Sequence, residues 1–297
     1  MVLMYHRIGP STRRGALELS DFERQILHLR ERHQLYTCSG LVRRLEERRA
    51  SADSVAVTID DGYAEVYEDV FPFLRRLAVP ATVYVVTDFV DGETWLWPDR
   101  LAHVMLSTRR AHWVFESCGQ RRSYALQSVS ERLAAWSDCA DWLLTLPPGS
   151  RDQYIQDVAR DLRVDMPLNA PPGYGSLSWA QLREMAAAGI EIGSHSCTHP
   201  RLTLLGADQL HDEVLRSKRR LEQMLERPVR SFCYPHGTLA DVDDVVVAAV
   251  RSAGYENAVT SVPSPSRSFD PFLVPRYGVT SRFESFLATL ARVGPLR

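Results

Sequence analysis

Residues 55–63 read VAVTIDDGY. Val55 to Ile59 is a short apolar, largely β-branched run, the composition of a buried strand, and it passes directly into Asp60-Asp61-Gly62. Two adjacent carboxylates at a strand's C-terminal end repel one another unless a cation or a proton intervenes. Gly62 permits a sharp turn there, so that both side chains can face one pocket. The same residues also fit an ordinary Asp-Gly turn.

Similar apolar runs recur at 2–5, 81–86, 190–193, 230–233, 257–260 and 273–276, with amphipathic stretches between them. SDFERQILHLRER begins with Ser20 as expected N-cap and Glu23 three residues on, the pattern of a capping box. LSWAQLREMAAAG has Ser178 as cap and Gly189 as stop, and ADQLHDEVLRSKRRLEQML carries Leu210, Val214, Leu221 and Leu225 on one stripe. Strands alternating with helices imply an α/β protein with parallel pairing, as a barrel or as an open doubly wound sheet. Residues 91–174 depart from this rhythm: they are Trp-rich and helix-leaning, without a clear strand. They read as an insertion on a βα loop of a single domain spanning 1–297.

The 297 residues are 45% hydrophobic and 24% charged, enough to bury a substantial core. A net charge of −2 gives no reason to expect a nucleic-acid partner. Lys218 is the only lysine, so Schiff-base chemistry is discounted. Five cysteines without paired spacing favour reduced thiols. No run of ~18 apolar residues is present to span a membrane. The opening, MVLMYHRIGP, has only four apolar residues before Tyr5-His6-Arg7, whereas a secretory signal has an apolar core of roughly 7–15. The expectation is therefore a cytoplasmic protein with no transmembrane segment, unless an export segment precedes it.

Two further strand ends carry chemistry. GIEIGSHSCTHP places His195 and His199 four apart in a loop bracketed by Gly193 and Pro200. Two neutral imidazoles and one carboxylate make a three-ligand set with open positions, suited to a divalent metal. Cys197 between them reads as a small buried thiol. VRSFCYPHG ends a strand in Tyr234-Pro235-His236-Gly237, a tight loop able to aim a backbone N–H at an oxyanion, or simply a strand-to-helix turn.

Three such strand ends form a constellation, because ligands of parallel α/β folds gather at the C-terminal ends of strands. Together they resemble the polysaccharide deacetylase family, the NodB-homology carbohydrate esterases. Its T-F-D-D-G motif reads here as Thr58–Gly62, its H-S/T-x-x-H motif as His195–His199, and its third motif as Tyr234–Gly237 in a Y-P-x-G form. The resemblance covers roughly residues 1–108 and 176–277. It implies a deformed (β/α) barrel of about seven parallel strands with a helix-rich insertion. It implies Asp60 as general base and Asp61, His195 and His199 as ligands of a divalent metal: zinc, or else cobalt, nickel or manganese. Tyr234, Pro235 and His236 would then support the oxyanion.

The family's catalytic acid usually ends a late strand in an L-x-H pattern, which is missing from this chain's C-terminal part. Leu3-Met4-Tyr5-His6 at the start looks instead like the circularly permuted arrangement of deacetylases acting on poly-N-acetylglucosamine. Moving one strand of a closed barrel from last to first leaves it in place, so His6 is the candidate acid. The arginine that normally orients the base is absent from SFCYPHG, and Arg276 in LVPRYGV is the candidate substitute.

The implied reaction is metal-dependent removal of N-acetyl groups from an N-acetylated carbohydrate, whether polysaccharide, oligosaccharide or lipid-linked precursor. Trp95 and Trp97 are candidate stacking residues for a sugar ring, although core anchoring accounts for them equally well. The alternatives are a same-fold amidase or deformylase on a non-polymer substrate, or a non-catalytic carbohydrate-binding relative. No G-x-S-x-G is present to support a serine hydrolase.

Overall fold

The computed structural model describes residues 1–9, 15–117, 120–262 and 269–292. Cys118, one of the five thiols, lies outside them. Among the described residues the strands are β1 (Val2–Tyr5), β2 (Gln34–Tyr36), β3 (Ser54–Ile59), β4 (Thr82–Val85), β5 (His112–Ser117), β6 (Gln120–Ala125), β7 (Glu191–Ser194), β8 (Ser231–Cys233), β9 (Asn257–Val259) and β10 (Arg276–Gly278). Contacts divide the chain into two compact units, Met1–Glu93 with Gly175–Arg297, and Thr94–Tyr174.

In the first unit seven strands pair in parallel in the order β10-β1-β3-β4-β7-β8-β9. A parallel bridge from Val259 to Val274 brings β9 beside the segment that leads into β10, so the ring nearly closes into a barrel. This resolves the choice left open by the strand–helix rhythm in favour of the barrel. β2 lies off the ring and pairs with the first half of β3.

Strand alternation decides what each residue faces. Val55, Val57 and Ile59 of β3 join the large cluster packed against the helices, as do Leu3 and Tyr5 of β1. Ala56 joins a separate cluster with Val2, Tyr84, Cys233, Val259 and Val274, drawn from strands around the ring, which is the barrel interior. By the same alternation Asp60 and His6, four residues on from Ala56 and Val2 and so in phase with them, emerge on the interior side. Interior space is tight: a Cβ on Gly193 would meet the Tyr84 ring 2.4 Å away.

Several local expectations are corrected. Leu19–Arg32 is capped at Glu18 without a side-chain bond, so Ser20 lies inside the helix. Ser178 does form a capping box with Gln181. The last strand starts at Arg276 rather than at 273, because only there does the chain pair with β1. The strand-free reading of 91–174 fails, since β5 and β6 form an antiparallel hairpin in the second unit. That unit has its own core, in which Trp97, Leu101, Trp113, Leu143 and Ile155 are buried.

Candidate active site

Register fixes the backbone frame. β1 pairs with β3 through Tyr5–Ile59, and the Asp60 N–H donates to the Tyr5 carbonyl at 3.0 Å. His6 and Asp60 therefore leave adjacent strands side by side, and His6 Nε2 stands 3.7 Å from Asp60 Oδ2. The His6 side chain is 45% exposed, that of Asp60 only 1%.

Arg276, at the start of β10, reaches across the interior. Its Nη1 donates to Asp60 Oδ1 at 2.6 Å and to Thr58 Oγ1 at 3.2 Å, its Nε to the Thr260 carbonyl at 3.0 Å, and its Nη2 to Cys233 Sγ at 3.0 Å. Burial alone would push the Asp60 carboxyl upward; the Arg276 charge, helped by His6 and His195, outweighs it and holds Asp60 at about 2. Asp60 is thus ionised across the neutral range. Its Oδ2 also accepts the Cys233 thiol at 3.6 Å.

Asp61 turns away from Asp60 through a left-handed backbone, φ 77°, followed by Gly62 at φ 86°. A Cβ at Gly62 would come within 2.9 Å of Val85 Cγ1, so glycine is required there twice over. His195 Nε2 and His199 Nε2 both stand 3.7 Å from Asp61 Oδ1. The His195 ring nitrogen Nδ1 lies 2.8 Å from the Cys233 carbonyl, which fixes Nδ1 as the donor and turns the Nε2 lone pair toward Asp61. Burial lowers the His195 pKa against the pull of Asp60 and Asp61, so the ring is neutral, as a metal ligand must be.

One ligand atom from each of Asp61, His195 and His199 lies within 4.8 Å of the others. Two imidazoles and one carboxylate gathered at this spacing suit a divalent first-row cation. The loop that carries the histidines is strained, with Ser196 at φ 65° and His199 at φ 58°. Left-handed non-glycine residues cost roughly 1–3 kcal/mol each and persist where the surroundings hold them. Here Glu213, from helix Ala207–Leu225, accepts the N–H groups of Cys197 (2.8 Å) and Thr198 (3.0 Å) and the Thr198 hydroxyl (2.6 Å). Cys197 itself is fully buried, with its thiol directed at the Asp212 and Glu213 carbonyls.

At the end of β8, Tyr234 is buried, and its N–H donates to the Val259 carbonyl at 3.3 Å. Pro235 has no N–H. His236 follows at φ 63°, its ring centroid 4.6 Å from that of His199.

The tryptophans depart from the stacking expectation. Trp97 belongs to the core of the second unit, and Trp95 is 3% exposed, its indole N–H donating to the Pro167 carbonyl and its ring against His103 and Tyr174. Large apolar rings are worth most where they exclude water, and both serve that unit's packing. Sequence reading missed Cys233, Thr58, Thr260 and Glu213. The two-residue alternation along β8, Ser231 then Cys233, was the one signal available for the first.

The model of the polysaccharide deacetylase family matches residues 47–258. The chain belongs to the polysaccharide deacetylase family. The matched stretch contains Asp60, Asp61, His195, His199 and the 234–237 loop, while β1 with His6 lies before it and Arg276 after it. Polysaccharide deacetylases are in general metal-dependent, and the Asp61, His195 and His199 cluster fits that property. The chain is 21% identical to YxkH of Bacillus subtilis (strain 168) over 266 residues, 88% of this chain, and spans 64% of that relative's length. Among solved structures it resembles IcaB from Ammonifex degensii (TM-score 0.65, 21% identity, 98% of this chain and 96% of that one). It also resembles the Streptococcus pyogenes deacetylase PplD (TM-score 0.64, 16% identity, 97% and 96%). No helix among the described residues is long and apolar enough to cross a membrane.

Proposed function

We propose that this chain is an N-deacetylase of N-acetylated sugars, a hydrolase that uses a divalent cation, zinc by the nitrogen-rich ligand set. The observation that carries the reading is the meeting, at one end of the barrel, of an arginine-held carboxylate with a separate three-ligand cluster. PplD, one of the structural neighbours, was solved with acetate, the product the proposed reaction releases.

Asp61, His195 and His199 hold the cation, which supplies Lewis acidity toward a carbonyl and makes water more acidic. Asp60, kept ionised by Arg276, accepts the proton of the attacking water. The new C–O bond forms at the acetamide carbon. As the C–N bond breaks, His6 delivers a proton to the nitrogen, and acetate and a free amine result. Oxyanion support falls to the His236 backbone N–H, because the Tyr234 N–H is committed to Val259 and Pro235 has none. β1 takes its place in the ring between β10 and β3, which sets His6 beside the strand that carries Asp60.

The test is acetate release from N-acetylglucosamine oligomers and lipid- or nucleotide-linked N-acetyl sugars, by metal-loaded wild type beside Asp60→Asn. A positioned base contributes typically ~10²–10⁴-fold, and a loss of that size is expected with substrate binding retained. Metal-loaded protein that releases no acetate from any of these compounds would refute the reading.

A further inference from the structure

If His6 is the acid, its position relative to the scissile nitrogen must be held. Among the described residues its imidazole makes no hydrogen bond: Asp60 Oδ2, at 3.7 Å, lies beyond reach. Its place is therefore set by the backbone on either side. On one side Tyr5 is locked in β1, with its ring edge-on to Phe22 and its hydroxyl donating to Gln25 at 2.9 Å. On the other side stands Arg7.

Arg7 is buried, as is its partner Glu65. Its Nε donates to Glu65 Oε1 at 2.8 Å and its Nη2 to Oε2 at 3.3 Å, a two-pronged pairing. Its guanidinium also lies 4.0 Å from the Tyr63 ring centroid, and Tyr63 packs edge-on against Phe89. The Arg7 carbonyl accepts from the Leu17 N–H at 2.9 Å, a further tie on the exit of β1. Glu65 and Tyr63 follow Asp60 and Asp61 on the exit of β3, just as Arg7 follows His6 on the exit of β1. The Arg7–Glu65 ion pair thus ties the segment that bears the proposed acid to the segment that bears the base and a metal ligand.

A buried ion pair is weak evidence for stability, because desolvation offsets most of the attraction and apolar replacement of both partners is often neutral. What such a pair does supply is geometry. We infer that Arg7 and Glu65 are positioning residues, holding the β1 exit so that His6 stays aimed at the leaving nitrogen beside Asp60. The inference rests on the reading of His6 as the general acid.

The experiment separates the two. An acetamide needs its leaving nitrogen protonated, whereas 4-nitrophenyl acetate expels a stable phenolate that does not. Both substrates, N-acetylglucosamine oligomer and 4-nitrophenyl acetate, are run with metal-loaded wild type, His6→Ala, Arg7→Met, Glu65→Gln and the His6→Ala/Arg7→Met double variant. A ~1 Å displacement of a catalytic group can cost on the order of 10²-fold, so Arg7→Met should lose roughly 10–10²-fold on the amide. Ester turnover should stay within about threefold of wild type, since no acid is needed there. Glu65→Gln keeps a hydrogen bond and should show the same selectivity at smaller size. In the double variant, the Arg7 change should add nothing to the amide-to-ester ratio already lost with His6.

Selective loss in His6→Ala, with Arg7→Met and Glu65→Gln either unchanged or losing both substrates equally, overturns the positioning role and leaves the acid standing. No selective loss in His6→Ala overturns the acid, and the inference with it. Should Arg7→Met fail to fold, Glu65→Gln and amide exchange at residues 5–9 decide. Faster exchange there than in β3 supports the clamp; equal protection of both segments overturns it.

Discussion

Replacing Arg276 by methionine tests the electrostatic core of the site. Both side chains of the Arg276–Asp60 pair are 1% exposed, and four atoms accept from the guanidinium. Removing one partner of such a pair leaves a buried, uncompensated charge, at a typical cost of about 3–5 kcal/mol. The pH dependence carries the diagnosis. In wild type the Asp60 pKa is depressed from 3.8 to about 2, so its contribution to stability is fully present above 3.8 and is lost as pH falls through about 2. In Arg276→Met the burial effect stands nearly alone, and the Asp60 pKa should rise above the unfolded value. The sign then reverses: ionised Asp60 penalises the fold at high pH, and protonation relieves it as pH falls. Urea midpoints of metal-free protein at pH 8 and pH 4 should therefore show a large deficit that shrinks on acidification. Asp60→Asn combined with Arg276→Met should recover much of the loss, since no buried charge remains. A deficit equal at both pH values, or below about 1 kcal/mol, would refute the reasoning.

His199→Ala should reduce metal affinity at least ~10–100-fold, the loss usual even for groups behind the ligands, while the melting curve of metal-free protein stays two-sided about the same midpoint; metal analysis after dialysis checks this. The described thiols should be inert in the native state. Burial pushes Cys38 and Cys197 up to about 12 and Cys139 up to about 11, and Cys233 is raised as well, chiefly by burial. At pH 8 a pKa of about 12 leaves roughly one thiolate in 10⁴. In a Cys118→Ser background, iodoacetamide should label none of them until denaturant is added; native labelling of Cys233 would contradict the buried interior described here.

By itself the sequence determined which strand ends matter. Asp60-Asp61-Gly62, His195–His199 and Tyr234–Gly237 were legible as a set: each alone also fits an ordinary turn or loop, but three strand ends carrying acid- and metal-type residues in this order form a constellation. Local constraints of that kind depend on neighbours in the chain. The ring closure, and with it the place of His6 beside Asp60, was legible only through the resemblance, and the tertiary structure shows it as the β1–β3 register. The guanidinium of Arg276 lies 216 residues from the carboxylate it holds, and Cys233 lies 173 residues from Asp60. No periodicity reports pairings so distant, since they arise from which strands face one another across the interior. The hairpin of β5 and β6 and the short β2 escaped notice because strand propensity reflects the surface a strand packs against more than its own residues. Nothing in the sequence around Arg7 and Glu65 announces their pairing. Burial turned them into a clamp, and burial is decided by the folded chain alone.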